Sequence, residues 1–154
     1  VDTEYITYPI PYIQTIFFIP DCVYMYRIGL NGQSVNIKSM QKNINDHLRV
    51  VRSLIEFYLN IYTETASVDN QRRFYIERMI NRVIASQFKI YLSFGPSRMW
   101  KQELIKFDQE IRRKSAVLYK RQRHKVVRIL RSTNFLFYWP AAWLAKWILT
   151  ERAN

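Results

Sequence analysis

One apolar stripe sets the first constraint on this chain: Met40, Ile44, Leu48, Val51, Leu54, Ile55, Tyr58 and Ile61 recur at three- and four-residue spacing. Lys42, Asn45, Asp46, Arg49, Arg52 and Glu56 largely avoid that face, so the pattern is that of a helix and not of a strand. The stripe runs for roughly six turns, and a helix of that length holds in water only when a partner covers its apolar side. Packed helices follow as the expected architecture, with Asn36 or Ser39 capping the first of them.

The partner is legible further on. Phe74, Met79, Ile80, Val83, Ile84, Phe88, Tyr91 and Leu92 predict a second helix from about Asn70 to Ser93, stopped by Gly95-Pro96. Ser97 would cap a third, in which Trp100, Leu104, Phe107 and Ile111 keep the same spacing. Val117-Leu118 and Val126 to Leu130 continue the pattern to a break near Ser132-Thr133-Asn134, and a last helix is expected near residues 141–152. Three glycines and five prolines leave little to interrupt such helices, and 49% apolar residues in a chain of 154 argue for a folded core.

Before Asn36 the signal changes. Residues 5–15 are aromatic and apolar around Pro9 and Pro11, which suits a short irregular helix. Ile16-Phe17-Phe18-Ile19 and the run from Cys22 to Arg27 read as two strands split by Pro20-Asp21. Leu30-Asn31-Gly32-Gln33-Ser34 reads as a polar turn. Two strands alone are marginal in water, so they require either the helices behind them or further strands beside them. The second possibility makes the chain the tail of a larger protein, with a boundary between residues 1–36 and 37–154.

The ordered residues Tyr24-x-Tyr26-Arg27-x-Gly29-x-x-Gly32-Gln33-Ser34 resemble the motif that closes the catalytic domain of bacterial family 2 glycosyltransferases, which are inverting enzymes. The resemblance is detailed over roughly residues 1–50 and covers the helical remainder only in general character. It implies a mainly α chain: a helical bundle-like C-terminal extension on a short strand-containing remnant of an α/β nucleotide-sugar-binding domain. By the same resemblance Asp2, with Glu4 as its rival, stands where a general base deprotonates the acceptor hydroxyl. Arg27, Gln33 and Ser34 stand where the donor diphosphate would be steadied. The bland alternatives are a solvated acidic pair, an arginine paired locally, and residues that merely close a turn.

The implied activity is sugar transfer from a nucleotide-sugar to a saccharide or lipid-linked acceptor, in cell-surface or extracellular polysaccharide synthesis. This sequence contains no Asp-x-Asp and no glycine-rich nucleotide loop. The resemblance therefore places the divalent metal (Mg or Mn), the donor site and most of the catalytic domain in a full-length parent, and leaves this piece inactive alone with no metal site of its own. His47 and His124 are far apart and lack ligand spacing, so they make no metal pair. Cys22, the lone cysteine, forms no internal disulfide and reads as an inert buried thiol in a reducing, cytoplasmic setting.

Charge supplies the remaining constraint. Residues 97–131 hold twelve Lys/Arg against Glu103, Asp108 and Glu110, and so carry nine of the chain's twelve net positive charges. Arg112, Arg113, Lys114, Lys120, Arg121, Arg123, Lys125, Arg128 and Arg131 run without an intervening acid. Such a run reads either as a purely solvated basic face or as one that draws anions: a membrane surface, a lipid-linked phosphate or nucleic acid, the last without any base-reading signature here. Trp139, Trp143 and Trp147 follow at four-residue spacing, a stripe suited either to packing on the first long helix or to a membrane interface. Phe135–Leu149, the most apolar window, is too short for a span and carries Pro140 and Lys146. These features support peripheral contact with an anionic membrane, at the inner face of the plasma membrane. The competing reading is a stand-alone basic helical module that binds anionic partners or mediates protein interaction. Exposed apolar surface over residues 5–26 would favour a homo-oligomer.

Overall fold

The computed structural model describes residues 2–22, 24–25, 36–64 and 69–151, and every regular element among them is helical. The elements are α1 (Asp2–Thr7), a 3-10 turn (Ile10–Tyr12), α2 (Ile37–Lys42), α3 (Ile44–Glu64), α4 (Asn70–Ser93), α5 (Arg98–Lys114), α6 (Ala116–Lys120), α7 (Lys125–Ser132) and α8 (Tyr138–Glu151). Asn36 caps α2 as expected, its side-chain oxygen accepting from the Lys38 amide at 2.9 Å. The long stripe bends at Asn43, which divides it between α2 and α3.

The expected strand remnant is corrected by this architecture. Ile16 to Ile19, and Cys22, Tyr24 and Met25, lie in irregular backbone with no strand among the described residues, and their apolar side chains are exposed. A strand needs a neighbour to take up its amides and carbonyls. The helices offer none, because their own backbone bonds are already made. Cys22 is exposed as well, not buried, with its thiol 3.8 Å from the Tyr24 carbonyl.

α4 is the central helix. It packs against α3 and α2 on one side, α5 and α6 on another, and α8 along its C-terminal half. Val51, Leu54, Ile55 and Tyr58 of α3 meet Ile76, Ile80, Ile84 and Phe88 of α4, with Leu104, Phe107 and Ile111 of α5 closing the core. Ile76 and Ile90, outside the face expected for α4, are fully buried because helices cover it on more than one side. The ring of Phe88 meets that of Phe107 edge-on at 6.0 Å. Gly95 turns the chain out of α4 with φ +84°, a backbone angle that favours glycine. Asn134 and Phe135 are also left-handed, φ 47° and 60°, and they reverse the chain after α7 so that α8 returns onto α4.

One polar contact inside the α3–α4 seam makes stability depend on pH. His47 Nδ1 lies 2.6 Å from Oε1 of the fully buried Gln87. Burial pushes the imidazole below its ordinary value and outweighs the Gln87 hydrogen bond, which pulls the other way. The unfolded chain then takes up a proton near ~6.5, before the folded chain does. Stability is fully present above that value and falls as the pH drops through it. Urea unfolding at about pH 7.5 and about pH 5, on either side of the ordinary histidine range, is expected to show a lower midpoint at the acid end, and His47→Gln should shrink the difference. An undiminished difference in the variant would assign the effect to another group.

Candidate functional site

The basic segment is organised by a carboxylate. Glu77 shares a helical face with Ile80 and Ile84, three and seven residues on, and that register leaves it 2% exposed. The Tyr58 hydroxyl of α3 donates to its Oε1 at 2.6 Å, Arg73 Nε donates at 3.3 Å, and Arg121 donates to Oε2. Burial, reinforced by the carboxylate that its hydroxyl faces, pushes the Tyr58 pKa up to about 12. Arg121 is thereby tied to the centre of the protein from the far end of α6.

The segment after it is held by an uncharged side chain. Gln122 is buried; its Nε2 donates 2.9 Å to the Asn81 carbonyl on α4, and its Oε1 accepts from the His124 amide at 3.0 Å. With Gln122 turned inward, Arg121, Arg123 and His124 face outward around it. Arg123 lies over the Phe74 ring, 6.0 Å from its centroid. A groove of about 620 Å³ opens here, its cationic wall formed by Arg78, Arg82, Arg121 and Arg123, with Glu77 as the one acid lining it. The side-chain oxygen of Asn81, buried in the same wall, has no hydrogen-bond partner among the described residues.

A second groove of about 490 Å³ runs between α4 and α8. Phe88 and Leu92 form its floor, Leu144 and Ile148 line it from α8, Val126 from α7, and Arg82 and Lys89 supply its cations, with His124 also in the lining. The two grooves share Arg82, Ala85 and His124, and so they adjoin. On α8 the buried contacts with α4 come from Tyr138 and Ala142, with Ala141 and Ala145 packed beside them. Small residues bring the helix close and turn its large ones outward. Trp143 is 63% exposed and Trp147 50%, beside the exposed Leu136, Phe137 and Trp139. Lys101 stands over the Trp139 ring at 6.0 Å.

The other basic residues divide by role. Lys114 pairs with Glu56 at 3.1 Å and Glu110 at 3.7 Å, and Arg112 lies over the Tyr119 ring at 5.8 Å. Arg131 is structural: its Nε donates 2.7 Å to the buried Asp108, and its guanidinium covers the Tyr119 ring at 3.8 Å. Arg113, Lys120, Lys125 and Arg128 are exposed and have no acidic partner among the described residues. The uninterrupted run thus becomes three short helical pieces, in which some cations lock the fold and the rest face solvent.

Of the residues matched to sugar transfer, only Asp2 and Glu4 fall among the described residues. Asp2 opens α1. Glu4 accepts from the Tyr8 hydroxyl at 3.1 Å and lies 3.7 Å from Arg49, and Tyr8 also shares a 2.6 Å hydrogen bond with Ser53, so this cluster fastens α1 to α3. Arg27, Gln33 and Ser34 lie outside the described residues. His47 and His124 sit on separate elements, and no group of three potential metal-ligating side chains occurs among the described residues. Glu77, Asn81 and Gln122 were not foreseen as site residues. The readable signal was a glutamate in phase with the isoleucines of α4. No family model, curated protein or solved structure matches the chain.

Proposed function

We propose that this chain is a basic helical module that docks peripherally on an anionic membrane surface, with α8 as the inserted element and, as the electrostatic contact, the cations of α5 to α7 that have no acidic partner among the described residues. The observation that carries the reading is the outward Trp139, Trp143 and Trp147 stripe, exposed beside Leu136 and Phe137 and following directly on the basic segment. Indole rings favour the boundary between hydrocarbon and headgroups, and lysine and arginine add attraction to anionic lipid. α8 has 14 residues, about 21 Å of helix, against a hydrocarbon core of about 30 Å. Among the described residues no helix is long and apolar enough to cross a membrane. In a parent that transfers sugar to a lipid-linked acceptor, as the Gly-Gln-Ser resemblance implies, the same surface would hold the enzyme beside its acceptor.

Vesicle flotation tests the proposal. Association with vesicles containing phosphatidylserine should exceed that with phosphatidylcholine alone, and should weaken as salt rises from ~0.1 M to ~1 M and the screening length falls from about 10 Å to about 3 Å. Lys125→Gln with Arg128→Gln removes two charges worth about 1 kcal/mol each near an anionic leaflet, so partitioning should drop roughly thirtyfold. Trp143→Ser with Trp147→Ser should abolish it at low salt. Equal association with neutral vesicles would overturn the reading. So would tight oligonucleotide binding by a chain that ignores vesicles, which would move the cationic surface to nucleic acid.

A further inference from the structure

The basic groove and the apolar trough adjoin across Arg82, Ala85 and His124, and they differ in chemistry. The first is walled by guanidinium groups, and the second has a floor of Phe88 and Leu92 with Leu144 and Ile148 beside it. Ala85 lines both, and its small side chain adds little bulk where they meet. Each volume, about 620 and about 490 Å³, falls within the ~300–1,000 Å³ of clefts that hold a small molecule. A purely anionic ligand would leave the trough empty, and a purely apolar one would strip water from Arg82 without replacing its partner.

We infer that these adjoining grooves together bind one single-chain anionic amphiphile drawn from the membrane, with its phosphate monoester among Arg78, Arg82, Arg121 and Arg123 and its acyl chain along the trough between α4 and α8. Charge complementarity selects the headgroup. Arg78, Arg82 and Arg123 have no ion pair to a described residue, whereas Arg121 and its Glu77 carboxylate fix the back of the groove. A phosphate accepts paired hydrogen bonds from the planar N–H fork of such guanidinium groups, a geometry that a lysine ammonium does not offer. The buried Asn81 oxygen, which lacks a donor among the described residues, suits a hydroxyl next to the phosphate. The trough is lined by α4, α7 and α8 together, so the ligand would also brace α8. This inference rests on the anionic-membrane reading but differs from it in stoichiometry: one molecule in a cleft, not a collective surface.

Calorimetry on the full chain, with lysophosphatidate held below its aggregation threshold, separates the two. One ligand per chain is expected, with lysophosphatidylcholine of the same chain length and inorganic phosphate each bound at least about tenfold more weakly, since each lacks one half of the match. Arg82→Gln and Leu144→Glu replace exposed residues, so circular dichroism and the melting curve should be unchanged while affinity for lysophosphatidate falls roughly tenfold or more. Trp143→Ser with Trp147→Ser should lose vesicles yet keep the lysolipid, because neither indole lines the trough. No saturable heat, equal binding of the choline lipid, or indifference to both Arg82→Gln and Leu144→Glu would overturn the inference and leave vesicle docking standing. An unmutated chain that binds the lysolipid but associates with no anionic vesicle would overturn the docking reading instead.

Discussion

Arg131→Met should cost about 3–5 kcal/mol of folding free energy, the range for leaving a buried charge without its partner. Asp108 and Arg131 side chains are only 6% and 12% exposed. Arg131 Nε donates to Asp108 Oδ1 at 2.7 Å and Nη1 to the Tyr119 carbonyl at 2.8 Å, while Nη2 lies 2.7 Å from the same carboxylate oxygen as an ion-pair contact. The guanidinium also covers the Tyr119 ring and approaches the Phe88 ring at 5.9 Å. One side chain thus joins α7 to α5, to α6 and to the floor of the core. Asp108→Asn should cost less, because Arg131 keeps its carbonyl and ring partners. The double replacement Arg131→Met with Asp108→Leu should recover most of the loss, since two apolar groups of similar volume leave no stranded charge.

The sign of the pH effect gives a second reading of the same variant. Burial pushes the Asp108 carboxyl above its ordinary value even with Arg131 opposing, so without Arg131 the ionised form is more costly still. A folded-state value above the unfolded one means that the cost is present when the group is ionised and fades as the pH falls through it. Arg131→Met should therefore lose less stability at about pH 4.5 than at neutral pH. Urea unfolding measures both; a loss below about 1 kcal/mol at neutral pH, the level of an exposed ion pair, would remove Arg131 from the core.

Arg131 also shows where reading the sequence reached its limit. It belongs to a run of nine cations, and only the fold separates it, as a buried clamp, from Lys125 and Arg128, which face solvent. Helix positions were legible because they are local. The Val51 to Ile61 stripe is buried, α4 spans Asn70–Ser93 as its spacing and Gly95-Pro96 require, and a break does fall after Ser132. Burial of Glu77, Asn81 and Gln87 was not legible, since it arises from helices approaching α4 from several sides and polar residues carry no apolar signal. Ile16-Phe17-Phe18-Ile19 has the composition of a buried strand, but composition supplies no neighbouring strand, and these side chains are exposed. The candidate site was legible in its ingredients, the cations and the tryptophans. The inward hook of Gln122, which gathers Arg121, Arg123 and His124 at one groove, was not.

Tyr138→Ala is the other large effect expected, because α8 is anchored by few large groups. Tyr138 is fully buried at the start of the helix, and its hydroxyl donates to the Gly95 carbonyl at 3.2 Å. After it the seam on α4 is built of Ala141, Ala142 and Ala145, whose small side chains bury little area each. Removing the ring should cost about 3–5 kcal/mol, the range for truncating a buried aromatic to alanine. Tyr138→Phe, which removes only the hydroxyl, should cost about 1 kcal/mol. Undocking then separates the two proposed binding modes. The trough loses the wall that carries Leu144 and Ile148, so lysophosphatidate binding should vanish. A freed α8 still carries Trp139, Trp143 and Trp147 and can fold against lipid, so association with anionic vesicles should persist. Amide exchange should be accelerated from residue 138 onward before it is in α3 or α5, because the lost contacts lie between α8 and the C-terminal half of α4. A Tyr138→Ala chain that keeps both its exchange protection in α8 and its lysolipid affinity would mean that the alanine seam alone holds the helix, and that the trough does not depend on its largest anchor.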